Sequence, residues 1–161
     1  INKASLYYYF KNKKALMVEV LKFSRQKMQE WVLSKAYDEA FTPEQRIRKM
    51  AQNLVKIHSS NFDGCIMGNT ILEVANTEPD LLPYVRGYFD DFLHAFKHIY
   101  QTKHTEIKAE ELAKATLREV QGSTMLMRLH QNSDYLIETA DRIIRNVVDM
   151  EPLSVKEKAL V

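Results

Sequence analysis

A chain of 161 residues with 45% hydrophobic and 27% charged side chains has the material for one good core, or one core plus a small module, and the balance of a globular protein. A net charge of +2 excludes a uniformly basic nucleic-acid coat, so any contact with DNA must come from a local cluster. The single cysteine, Cys65, excludes an internal disulfide framework and fits a reducing, cytoplasmic setting; no apolar run reaches the ~18–20 residues that span a bilayer, and no signal-peptide pattern opens the chain.

The apolar pattern is already under way at Ile1, which is not an initiator residue, so the sequence reads as beginning inside a domain. From Lys13 to about Ala36, Leu16, Val20, Phe23, Met28, Trp31 and Val32 recur at helical spacing. Thr42-Pro43-Glu44 with Gln45 is a helix start of capping-box type, opening a helix through Ile47, Met50, Leu54, Val55 and His58. Ser59-Ser60-Asn61 and Asp63-Gly64 mark a loop, followed by a short helix over about Ile66–Asn76. Asp80 is placed to cap the next long helix, with Pro83 in its first turn and a stripe of Val85, Phe89, Phe92, Phe96 and Tyr100. Helices from about Glu106 to Gln131 and from Tyr135 to about Met150 follow, the second capped by Asn132-Ser133-Asp134 and carrying Leu136, Ile143, Ile144, Val147 and Val148. Four glycines and four prolines are too few for a sandwich or barrel, so the expected class is all-α.

The opening residues, Ile1 to Lys13, read I-N-K-A-S-L-Y-Y-Y-F-K-N-K. Ile1, Leu6 and Phe10 suit the docked face of a recognition helix, leaving Asn2, Lys3, Ser5, Tyr8 and Tyr9 for a groove; Lys11, Lys13 and Lys14 add positive charge, and the free amides opening the next helix favour a phosphate. The segment resembles the recognition helix and following turn of TetR/AcrR-family regulators. The resemblance implies a helix-turn-helix DNA-binding domain of which 1–13 is the C-terminal part, a connecting helix over 14–36, and a ligand-binding and dimerisation domain over 37–161. It places Tyr7 and Lys13 on phosphates and Lys3, Ser5 and Tyr9 toward bases, and it implies that the front of the DNA-binding domain precedes Ile1.

Gly64-Cys65-Ile66-Met67-Gly68-Asn69, continued by Leu72-Glu73-Val74-Ala75, resembles a second segment of the same family. Gly64 permits a tight turn and Gly68 a close helix approach. Cys65 has two readings: a buried, inert thiol, or an electrophile sensor, which needs a pKa lowered by a helix N-terminus or a cation such as Arg128. Trp31, His58, Phe62, Cys65, Phe89, Phe92, Phe96 and Met125 are the expected lining of a pocket for a small hydrophobic effector, with Tyr100 nearby and Glu73 and Glu119 as polar anchors. Leu112, Ala115, Thr116, Val120, Ser123, Met127 and His130, with Ile143, Val147 and Met150 on the last helix, offer a surface for a homodimer, which a palindromic operator requires.

His94 and His98 lie four apart, with His104 nearby, but lack the rest of a metal-ligand set and read as solvated helix histidines. No nucleophile motif, Gly-rich phosphate loop or E-x-x-H motif occurs, so neither catalysis nor a cofactor is expected. The expected function is a repressor released from palindromic operator DNA by a small-molecule effector. Two binding alternatives stand beside it: a helical small-molecule carrier with no DNA role, and a repressor that senses electrophiles through Cys65.

Overall fold

The computed structural model describes residues 8–60 and 62–148. Among them are six α-helices and two 3-10 turns, with residues 8–9 helical as well, and no strand. They are α1 (Lys13–Trp31), a 3-10 turn (Leu33–Tyr37), α2 (Pro43–Ser59), α3 (Ile66–Val74), a 3-10 turn (Pro79–Leu81), α4 (Leu82–Tyr100), α5 (Glu106–His130) and α6 (Asp134–Val148).

Asn12 starts α1, its Oδ1 accepting from the Ala15 amide at 2.8 Å. The helix is shorter than its pattern predicts. Its α-helical ladder ends at Val32, whose amide reaches the Met28 carbonyl, and the chain tightens into the 3-10 turn that buries Leu33 and Ala36. Asn53 on α2 donates to the freed Trp31 carbonyl at 2.7 Å, and Ser34 Oγ to the Glu30 carbonyl at 2.7 Å. Of the expected apolar stripe, Met28 and Val32 are buried, but Phe23 and Trp31 are 60% and 56% exposed, and Leu21, outside the stripe, is buried instead.

The capping box at Thr42 forms as expected. Thr42 Oγ1 accepts from the Gln45 amide at 3.3 Å, and Gln45 Oε1 accepts from the Thr42 amide at 3.0 Å. Asp80 does not cap α4. A 3-10 turn intervenes, and its carboxylate instead takes the Lys14 ammonium. The helix α5 ends at Gln131 in the left-handed conformation (φ 52°), and Asn132 Oδ1 accepts from the Asp134 amide at 2.9 Å to open α6.

The long α4 lies against α5, α6 packs on both α5 and α2, and α3 leans on α4. Ile47, Met50, Phe92, Phe96, Tyr100, Met127, Leu136 and Val147 form the centre of the core. Tyr100 and Thr116 satisfy each other there through a 2.7 Å hydroxyl–hydroxyl bond between α4 and α5. This core takes up much of the surface expected to join two chains. Thr116, Val120, Met127, Ile143 and Val147 are buried within their own chain, so they close the α2–α5–α6 core rather than face a partner. The outward side of α5 carries Leu126 and Leu129 instead.

Candidate functional site

Of the residues expected to meet DNA, Asn2, Lys3, Ser5 and Tyr7 lie outside the described residues. Tyr8 and Tyr9 are the most exposed aromatic rings described, 84% and 77%, and stand edge to face with centroids 5.1 Å apart. Such exposure of two adjacent rings argues against a local aromatic core. Lys11 and Lys13 are exposed beside them at the start of α1. Lys14, one position on, points back to the body and pairs with Asp80 and, at 3.7 Å, Glu78.

The expected pocket residues divide among three places. A cleft of about 490 Å³ between α3, α4 and α5 holds Cys65, Phe89 and Met125. Ile71, Leu72, Leu117, Asn69, Arg118, Gln121 and Arg128 complete much of its wall. A second cleft, of about 280 Å³, lies between α1, the end of α2 and the loop before α3. It holds Trp31 and His58, with Phe23, Lys27, Met28, Ile57, Asp63, Ile66 and Tyr88. Phe92 and Phe96 line neither cleft. They border an interior void of about 20 Å³, room for roughly one water, and are packed core. Phe62 is partly buried against the core in the left-handed conformation (φ 54°).

Both clefts share Gly64, whose φ of +74° favours glycine and which turns the loop into α3. On one side the ring of His58 bonds to the Gly64 backbone. On the other, the aliphatic stem of Arg128 packs so closely that a Cβ on Gly64 would stand 3.0 Å from its Cδ. Burial holds His58 below the ordinary histidine range despite its bond to Gly64, so the buried ring is neutral. At the far side of the second cleft, Lys27 Nζ sits 5.7 Å from the ring centroids of both Phe23 and Trp31.

Cys65 precedes α3 and lines the same cleft as Arg128. Burial nevertheless pushes the thiol up, outweighing the downward pull of the Gly68 and Met67 amides and of the Tyr88 and Gln121 side chains. An electrophile sensor needs the opposite shift. Tyr88, its buried phenol pushed well up by the same surroundings, is a wall residue of the second cleft that the sequence did not single out.

Glu119 pairs with Arg142 at 3.1 Å, and neither Glu73 nor Glu119 lines a cleft. The His98 ring lies tilted against Tyr37, centroids 4.8 Å apart. Among the described residues no group of three or more His, Cys, Asp or Glu is placed to hold a metal, and no helix is long and apolar enough to cross a membrane.

Residues 43–142 match the family described as transcriptional regulator LmrA/YxaF-like, C-terminal domain. The fold is similar to that of the crystal structure of a TetR transcriptional regulator from Legionella pneumophila. The TM-score is 0.81 at 21% identity, over 91% of this chain and 80% of that one. None of the curated proteins compared matches the chain.

Proposed function

The chain belongs to the TetR family of transcriptional regulators, and from that premise we propose that it is a ligand-responsive repressor, released from a palindromic operator when a small hydrophobic molecule enters its helical body. The family is one of non-enzymatic transcription factors. In this reading 1–13 belong to the DNA-binding domain and carry the operator contacts at Asn2, Lys3, Ser5, Tyr7, Tyr8, Tyr9, Lys11 and Lys13. Residues 14–36 connect, and 37–161 bind effector and partner.

One observation carries the proposal. The same helix, α1, starts at the exposed Tyr8–Lys13 segment and ends as a wall of the second cleft, through Phe23, Lys27, Met28 and Trp31. A molecule seated there touches the element that holds the DNA-facing residues. Ligand lowers DNA affinity only as far as it prefers the non-binding arrangement of α1, each tenfold preference being worth about 1.4 kcal/mol.

Dimerisation is supported by Gly122, midway along α5. A Cβ there would meet nothing within 4 Å, so its own chain gains no packing from a residue that costs a helix interior about 1 kcal/mol relative to Ala. Leu126 and Leu129 continue the same outward face at helical spacing, and a second copy approaching over Gly122 would cover them and close over the larger cleft, which Gly122 also lines.

The test is a gel shift of the intergenic DNA beside the gene, titrated with the protein made from the whole reading frame over a salt series. Saturable binding to a short palindrome that weakens steeply with salt is expected. A folded, dimeric protein that shifts no DNA at any salt concentration would remove the regulator reading and leave a helical ligand binder.

A further inference from the structure

We propose, resting on the ligand-responsive reading above but at the other cleft, whose wall has no α1 residue, that the cleft between α3, α4 and α5 takes a carboxylate amphiphile. Arg128 would hold its headgroup, and its hydrocarbon would run along Phe89, Leu117 and Met125. The chemistry of the wall is one-sided. Two guanidiniums and two amides, from Gln121 and Asn69, are its polar side chains apart from the Thr124 hydroxyl and the Cys65 thiol, and no Asp or Glu lines it. Arg25 pairs with Asp91, Arg48 with Glu44 and Arg142 with Glu119, while Arg86 and Arg145 enter no ion pair found among the described residues. Arg118 and Arg128 enter no ion pair or side-chain hydrogen bond found among the described residues.

The stem of Arg128 is fixed against Gly64, which orders the side chain before any ligand arrives and reduces the entropy lost on binding. A carboxylate accepts two parallel N–H bonds from a guanidinium fork. An alcohol leaves the Arg128 fork without a counter-charge, and a cationic amphiphile is repelled by it. The remaining wall is apolar, and about 490 Å³ lies within the range of small-molecule sites, so a headgroup alone would leave most of the cleft unfilled.

Calorimetric titration of the purified protein, without DNA, tests this using dodecanoate, dodecanol and dodecyltrimethylammonium below their micellar concentrations. Dodecanoate is expected to saturate at one molecule per chain and to bind at least tenfold more tightly than dodecanol, with no saturable uptake of the cation. Arg128 is exposed, so the Arg128→Gln variant keeps its fold; it should lose about tenfold for dodecanoate and none for dodecanol. Arg128→Lys should recover most of that loss.

Equal affinity for acid and alcohol, or unchanged dodecanoate affinity in the Arg128→Gln variant, would overturn the proposal. So would an absence of binding, and if Met125→Asp then turned a dimer into monomers, the cleft would belong to a second copy of the chain. Because the titration contains no DNA, a negative result beside a positive operator shift removes the ligand class alone. The converse pair of results removes the repressor and keeps the site.

Discussion

The guanidinium of Arg25 on α1 lies across Gly87 on α4, where a Cβ would stand 2.5 Å from its Nη1, and forks onto Asp91 one turn later. Nε reaches Oδ2 at 2.6 Å and Nη2 reaches Oδ1 at 2.8 Å, while Gln29 adds a third donor to Oδ2 at 2.8 Å. Glycine is the residue that lets the two helices meet through this fork. Two opposing terms act on Gly87→Ala: a helix-propensity gain of about 1 kcal/mol, and loss of a half-exposed charge pair worth about the same. The expected result is a melting temperature within about two degrees of the parent, with faster hydrogen exchange in the middle of α1. Asp91→Asn has no compensating gain and should lower stability by about 1 kcal/mol. Unchanged α1 exchange in both variants would show that the fork does not hold the helix.

A pH dependence follows from His58. Burial keeps its pKa below the ordinary 6.5, whereas the unfolded chain regains that ordinary value. Between the two, the unfolded chain binds a proton that the native chain does not. Stability is therefore complete above about pH 7 and falls as the solution is acidified through the unfolded value. Asp63 and Lys27 share the cleft with the ring, and neither offers it a described ion pair. His104, lowered by burial and by Lys108 and Lys103, contributes with the same sign from a more exposed position. The carboxylates held low by lysines, Asp80 and Glu110, lose their contribution only in a more acid window. Melting curves from about pH 7 to 5 should slope downward, and His58→Gln should flatten most of that slope. An undiminished slope in the variant would place the titration elsewhere.

The helices were readable because apolar spacing and caps act locally: the Thr42–Gln45 box and the start of α5 at Glu106 follow from a few neighbouring residues. What the sequence left open depends on partners far along the chain. Phe23 and Trp31 have core composition, yet α1 rolls to bury Leu21 and Met28 and leaves both rings beside a cleft. Phe92 and Phe96 have pocket composition and are packed core, while Arg118 and Gln121 line the larger cleft though their helix reads there as small and apolar. Asp80 looked like a cap because nothing local reveals that Lys14, 66 positions earlier, takes its carboxylate.

The two sides of α5 can be separated by substitution. Met127 is fully buried against the chain's own core, whereas Leu129, two residues on, is 71% exposed. Met127→Ala should cost about 2–5 kcal/mol of stability. Leu129→Asp should leave the fold within about 0.5 kcal/mol of the parent and shift sedimentation from dimer toward monomer. A dimer unaffected by Leu129→Asp would move the interface away from this face of α5.

Two adjacent lysines provide the sharpest separation between DNA contact and helix anchoring. Lys13 is exposed at the start of α1, whereas the Lys14 ammonium is engaged by Asp80 and Glu78. A phosphate contact releases about one counterion, so Lys13→Gln should weaken operator binding across sequences and reduce the slope of log affinity against log salt by about one. Lys14→Gln should leave the slope unchanged, because its charge is already neutralised by the body. Its effect should appear instead as faster hydrogen exchange at the start of α1. Anisotropy titrations of labelled operator over a salt series check both; equal slope losses in the two variants would mean that Lys14 leaves Asp80 when DNA binds.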